Sequence, residues 1–370
     1  MRNRLREIEE LGQSIWLDNL NRNLLQSGGL RRLIEEDGLS GVTSNPTIFG
    51  KGMGESDVYD VSFREVASET GDLQEVFEVL ALRDVRDAAE LLAPTFERTG
   101  GQDGFVSFEL PAALADDAEG SIEKAVRLRE VIDRDNVFIK VPGTEAGVRA
   151  FEELTARGVN VNVTLLFAVE RYREIAEAYL RGLERRVDTD EPVDRASSVA
   201  SFFVSRVDTK VDAELERLGR EELRGRAAVA NAKIAYAAFR EIFSGERWER
   251  LRAAGANLQR PLWASTSTKN PDYPDTLYVD ELIGPDTVNT MPDGTIEAAR
   301  DHAKVERTVD RDLDGARQVM HDIADAGVDI DDIVLNQLVV EGVKAFGDSY
   351  ESLLGTLDRK ASQIGAGVRS

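Results

Sequence analysis

The chain has 370 residues, 42% hydrophobic and 31% charged, enough apolar surface for a substantial core arranged as one large barrel or two ordinary domains. It contains no cysteine and only two histidines, His302 and His321; disulfides, thiolate nucleophiles and cysteine-ligated metals are excluded, and no histidine zinc site or metal centre is expected. A net charge of −23 argues against nucleic acid or anionic membranes as partners and leaves small anions open. In chain order, short β-branched runs alternate with longer amphipathic segments, the pattern of repeated βα units and a parallel sheet. Strands are expected at Ser14 to Asp18 (SIWLD), Gly41 to Ser44 (GVTS), Phe105 to Glu109 (FVSFE) and Val137 to Val141 (VFIKV). Four more follow at Val159 to Thr164 (VNVNVT), Val199 to Val204 (VASFFV), Leu262 to Ser267 (LWASTS) and Thr287 to Thr290 (TVNT). Between them run helical periods such as Leu24 to Glu36, Asp72 to Leu82, Asp84 to Glu97, Ser121 to Ile132, Glu145 to Arg157, Glu170 to Leu183 and Lys210 to Leu218. The proline-bearing insertion KNPDYPDTLYVDELIGPD reads as an ordered loop. Beyond the eighth strand, helices are expected at Thr295 to Ala303, Arg311 to Ala326 and Glu341 to Ile364, the last long enough to lie across a barrel mouth. Eight strands close a barrel, so the expected fold class is α/β: a single (β/α)8 TIM barrel over residues 1–370, with extra helices and a long C-terminal helix. No stretch reaches the roughly 18 apolar residues of a spanning helix, and Met1 to Glu10 is charged rather than a signal peptide, so a cytoplasmic location is expected.

Only nine of the 46 basic residues are lysines, which makes Lys140 conspicuous within the apolar strand FIKV. At that strand's C-terminal end its side chain is expected to point into the barrel rim, where such folds carry their active sites. Burial there disfavours a charged amine and favours one able to attack a carbonyl, although a lysine simply paired with a carboxylate would look the same. Asp18 and Glu109 end the first and third strands and should converge on that rim as acid–base groups. Taken singly, Asp18 also reads as a helix N-cap and Glu109 as a salt-bridge partner. Asn45 precedes Pro46 in what is equally a turn, and Asn162 and Thr164 share one face of their strand, either for a ligand or as a buried hydrogen-bonded pair. The Gly50, Gly52, Gly54 spacing lacks the lysine and hydroxyl residue of a nucleotide loop.

The succession GVTSNPTIF, FVSFE, FIKVPGT, VNVTLLF and SFFVSRVD resembles the strand-end motifs of transaldolases, in the same order from the second strand to the sixth. That resemblance implies that Lys140 forms a Schiff base, that Asp18 is the acid–base at the sugar hydroxyl, and that Glu109 and Thr164 hold the catalytic water. It further implies that Asn45, Asn162 and Ser201 bind donor hydroxyls and that the substrate phosphate lies near Arg206 and Ser265. Many members carry a second arginine after the seventh strand, where this chain has Ser267 and Lys269. Fructose 6-phosphate aldolases are similar in fold, but Glu109 and Phe203 resemble the transaldolase choice. The resemblance thus implies a pentose phosphate pathway transferase with sugar-phosphate substrates and no cofactor, acting as a monomer or homodimer. The insertion is similar to that of the longer bacterial members.

Overall fold

A computed structural model describes residues 3–368. Eight parallel strands close in the order β1 to β8: Gln13–Leu17, Gly41–Thr43, Phe105–Glu109, Val137–Pro142, Val161–Leu166, Ser198–Phe203, Gln259–Ala264 and Thr287–Met291. Closure is made by β1 against β8, from Gln13 opposite Thr287 to Leu17 opposite Met291. The barrel expectation therefore holds. Two strand ends differ from it by more than one residue: β5 continues to Leu166 instead of Thr164 and β7 stops at Ala264 instead of Ser267. In each case a non-glycine residue in the left-handed region marks the departure, Leu165 at φ +59° and Ser265 at φ +57°. At Leu165 the β5–β6 register shifts between Val163 and Leu166. At Ser265 the strand gives way to the loop that forms part of the rim.

Side chains alternate across each strand, so residues two apart share one face. On that face, Trp16, Phe105 and Phe138 form an aromatic layer, with the two phenylalanine rings stacked at 4.0 Å between centroids. Two residues further along β3 stands Ser107, which joins Asn162 and Ser201 in a polar layer. One more step toward the C-terminal ends brings Asp18, Glu109, Lys140, Thr164 and Phe203 to the rim.

The helices differ from expectation chiefly in where they break. The two segments around residue 83 form one helix, Leu73–Arg98, because Asp84 is buried against Arg22 and Tyr59 instead of interrupting the run. The insertion after β7 contains a short helix, Leu277–Glu281. At the C-terminus a π-turn over Ile333–Gln337 leads into the helix Leu338–Ile364, 27 residues long. This helix does cross the rim, and two glycines allow the close approach. A β-carbon on Gly342 would lie 2.9 Å from the Leu165 side chain, and one on Gly54 would lie 2.3 Å from that of Thr356. Among the described residues no helix is long and apolar enough to cross a membrane.

Candidate active site

Register brings the central side chains together: Lys140 on β4 lies opposite Glu109 on β3 and Asn162 on β5. Lys140 is 6% exposed. Its Nζ donates to the Ser44 carbonyl at 3.2 Å and lies 3.7 Å from Glu109 Oε2, an ion pair too long to be a hydrogen bond. The Phe346 ring of the C-terminal helix stands over it, 5.8 Å from Nζ to centroid.

Burial pushes the Glu109 carboxyl up to about 7; Lys140 and Arg206 oppose the rise, and the charge of Asp18 adds to it. Both Glu109 oxygens and the Thr164 hydroxyl are buried without a hydrogen-bond partner in the protein. Such atoms are ordinarily satisfied by an ordered water. Asp18 is also raised, first by burial, with Lys140 and a hydrogen bond from Thr43 acting the other way. The Thr43 hydroxyl donates to Asp18 Oδ1 at 2.6 Å and lies 2.8 Å from the Thr290 hydroxyl. Because Thr43 has one proton to give, Thr290 is the donor of the second bond, and a relay runs from Thr290 through Thr43 to Asp18.

A cavity of about 230 Å³ opens over these groups. Of the residues expected from the sequence, Asp18, Lys140 and Thr164 line it with Asn45, Ser201, Phe203, Arg206, Ser265 and Lys269, joined by Ser267. Asn45 uses its carbonyl oxygen to cap the helix Pro46–Glu55 through Ile48 N–H at 3.1 Å, which leaves its amide nitrogen for a ligand. Asn162 does not line the cavity. It is fully buried behind Ser201, whose hydroxyl donates to its oxygen at 2.6 Å, while its nitrogen donates to Ser107 at 3.1 Å. Glu109 lines a neighbouring, smaller cavity.

Arg206 opens the helix Ser205–Arg217 and lays its guanidinium 5.2 Å from the Phe203 ring centroid. Burial lowers its pKa, against the pull of Glu109 and Glu341, and among the described residues no carboxylate lies within ion-pair distance of it. A half-buried, unpaired guanidinium is a ready anion site. Ser265 shares a hydrogen bond with Ser205 at 2.9 Å, and the exposed Lys269 donates to Ser267 at 2.5 Å. Among the described residues no group of three or more histidine, aspartate or glutamate side chains is placed to hold a metal ion.

Five lining residues were not singled out in the sequence: Thr43, Ala264, Thr290, Pro292 and Phe346. Thr43 and Thr290 sit at strand ends, so the rim rule itself could have found them. Phe346 has no local signal, because one aromatic on an amphipathic helix reads as core.

An eight-stranded parallel barrel whose rim holds a buried lysine between two carboxylates of raised pKa has the layout of a class I, Schiff-base aldolase barrel. Residues 15–357 match the model of the family described as Transaldolase/Fructose-6-phosphate aldolase. The chain is 44% identical to the transaldolase of Trichodesmium erythraeum, over 98% of each protein. It is 47% identical to that of Thiobacillus denitrificans, over 95% of this chain and 99% of the relative. With the transaldolase of Mycolicibacterium paratuberculosis the identity is 46%, over 95% of each. The chain belongs to the transaldolase/fructose-6-phosphate aldolase family, and its full-length relatives place it on the transaldolase side.

Proposed function

We infer that Lys140 carries the transfer of a dihydroxyacetone unit from a ketose phosphate, sedoheptulose 7-phosphate or fructose 6-phosphate, to an aldose phosphate. The observation that carries the reading is the placement of a buried lysine nitrogen 3.7 Å from a carboxylate whose pKa is near neutral. The amine attacks the C2 ketone, and Glu109 with Thr164 manages the water lost from the carbinolamine. The iminium then acts as an electron sink. Asp18 removes the C4 hydroxyl proton, the C3–C4 bond breaks, and an aldose phosphate leaves. A carboxyl whose pKa is raised toward the working pH can both take and return that proton, which suits Asp18 to the forward and reverse steps. Asn45 and Ser201, the latter oriented by Asn162, hold the hydroxyls of the retained enamine, while Arg206, Ser265 and Lys269 take the phosphate.

Borohydride trapping with fructose 6-phosphate tests the assignment: a mass adduct is expected on Lys140, and an adduct elsewhere, or none, removes the mechanism. A second reading, an aldolase that releases dihydroxyacetone, is separated by assay without acceptor aldehyde. Steady release would support it; retention of the fragment until an acceptor is added supports transfer.

A further inference from the structure

Two cavities of different size and character meet at Asn45 and Phe346, which line both, and Glu109 lines the smaller. The larger is the one lined by Lys140. The smaller is lined by Glu109, by Phe49, Phe77, Phe108 and Tyr350, and by both members of the Glu78–Lys124 ion pair. It offers about 30 Å³, against about 230 Å³ for its neighbour. A water needs only about 10–15 Å³ on this measure, so the smaller cavity admits water and no sugar. Its middle is walled by packed aromatic rings, Phe49 against Phe77 and Phe108, and Phe77 against Tyr350. Polar groups stand at its two ends. At the inner end both Glu109 oxygens are buried and unpartnered within the protein, on a side chain 8% exposed. At the outer end the Glu78 and Lys124 side chains are 25% and 22% exposed and meet solvent.

We propose that this smaller cavity is a water port: the water expelled when the Lys140 Schiff base forms, and taken up when it is hydrolysed, passes behind Glu109 and out by the Glu78–Lys124 pair. The proposal rests on the Schiff-base reading of Lys140. Attack of the neutral amine on C2 forms the C–N bond, and one amine proton passes to the ketone oxygen to give the carbinolamine. Its C2 hydroxyl then takes a proton from the Glu109 carboxyl and leaves as water. The C–O bond breaks, the nitrogen lone pair closes the C=N bond, and Glu109 is left as carboxylate. Hydrolysis runs the same steps backward.

The port answers a conflict in this chemistry. The cycle must release one water and recover one while a sugar phosphate fills the cavity at Lys140. That water leaves before the C3–C4 bond breaks and returns only after the acceptor has added, so a route through the substrate cavity would have to pass a bound sugar phosphate. Routed behind Glu109, it need not pass the sugar. The aromatic walls make the path narrow.

The test fills the port from its wall at Ala112, a partly exposed residue, with Ala112→Leu and Ala112→Phe in the full chain. Ketose phosphate labelled with ¹⁸O at C2 is followed by mass spectrometry as the label is lost to ordinary water. That loss requires Schiff-base formation and departure of the water. Borohydride trapping of the Lys140 adduct is run in parallel. Label loss is expected to slow in step with side-chain size, by about tenfold in Ala112→Phe, equivalent to about 1.4 kcal/mol on the barrier, while the yield of trapped adduct stays level. Unchanged label loss with a normal adduct yield overturns the port alone. A parallel fall in adduct yield also overturns it, since Lys140 itself would then have been disturbed. Absence of any Lys140 adduct in the unaltered protein removes the Schiff-base reading, and the port with it.

Discussion

Replacing Glu109 with glutamine should make the protein more stable, in a way that depends on pH. The side chain is almost wholly buried, and its carboxyl sits at about 7 where the ordinary value is 4.5. At about 1.4 kcal/mol for each unit of pH, ionising it in the fold costs about 3 kcal/mol more than in the unfolded chain. Below pH 4.5 the group is protonated in both states and the cost is absent. Between 4.5 and about 7 the unfolded chain gives up the proton while the folded one keeps it, so stability falls as pH rises. Above about 7 the whole cost is present. The groups that face Glu109, namely Lys140, Asp18 and Arg206, remain in the variant, which drops only the ionisation itself. Glu109→Gln should therefore match the parent near pH 4.5 and exceed it by about 3 kcal/mol at pH 8, while losing transfer activity. Urea denaturation at a series of pH values, followed by the fluorescence of Trp16, Trp248 and Trp263, measures the difference. A stability difference that stays flat with pH, or that grows toward acid, would mean that Glu109 ionises at least as readily as it would in water, and its role as a proton donor at neutral pH would lose its basis.

Arg206→Ala should lower kcat/KM for a phosphorylated ketose by about 1.5–3 kcal/mol, roughly one to two orders of magnitude, because charge-assisted hydrogen bonds to the phosphate are lost. The same variant should handle an unphosphorylated ketose as the parent does, and equal losses on both would place the phosphate elsewhere. Thr43→Val removes a hydrogen bond that holds the Asp18 pKa down, so the acid limb of the kcat/KM profile should move to higher pH; an unmoved limb would remove Asp18 as the base. Gly342→Val forces a side chain against Leu165 and should cost about 1–3 kcal/mol in urea denaturation. If Phe346 helps close the site, the KM for ketose should rise as well, and a variant as stable as the parent would show that the helix can shift without cost.

Much of the rim was legible because a parallel barrel turns chain position into spatial position. Once eight strands are recognised, the last inward residue of each must face the same mouth, so Asp18, Glu109, Lys140 and Thr164 could be grouped without any contact being known. Asn162 was placed on the correct face by the same rule but at the wrong depth. It lies one alternation below Thr164, and there its amide is taken up by Ser107 and Ser201. Strand ends were harder to read. Hydrophobic alternation runs on through LWASTS, but the left-handed backbone at Ser265 ends the strand at Ala264, and serine gives no signal of that conformation.

What period cannot reveal is contact made by a distant element. Phe346 lies more than 200 residues beyond Lys140 and reaches it with the help of Gly342, four residues earlier, which lets the helix settle on Leu165. The three residues form one device: the left-handed backbone at Leu165 bends the end of β5, the missing side chain at Gly342 accepts the bend, and the helix turn that follows sets Phe346 over the amine. The lysine's surroundings thus have two separate origins. Carboxylates and hydroxyls come from the strands by alternation, while the apolar cover that keeps bulk water from the amine comes from a helix docked at one strained residue. Burial is the leading cause of the raised pKa of both Asp18 and Glu109, so loosening that helix should alter their titration even though it touches no strand-end residue of the acid–base set.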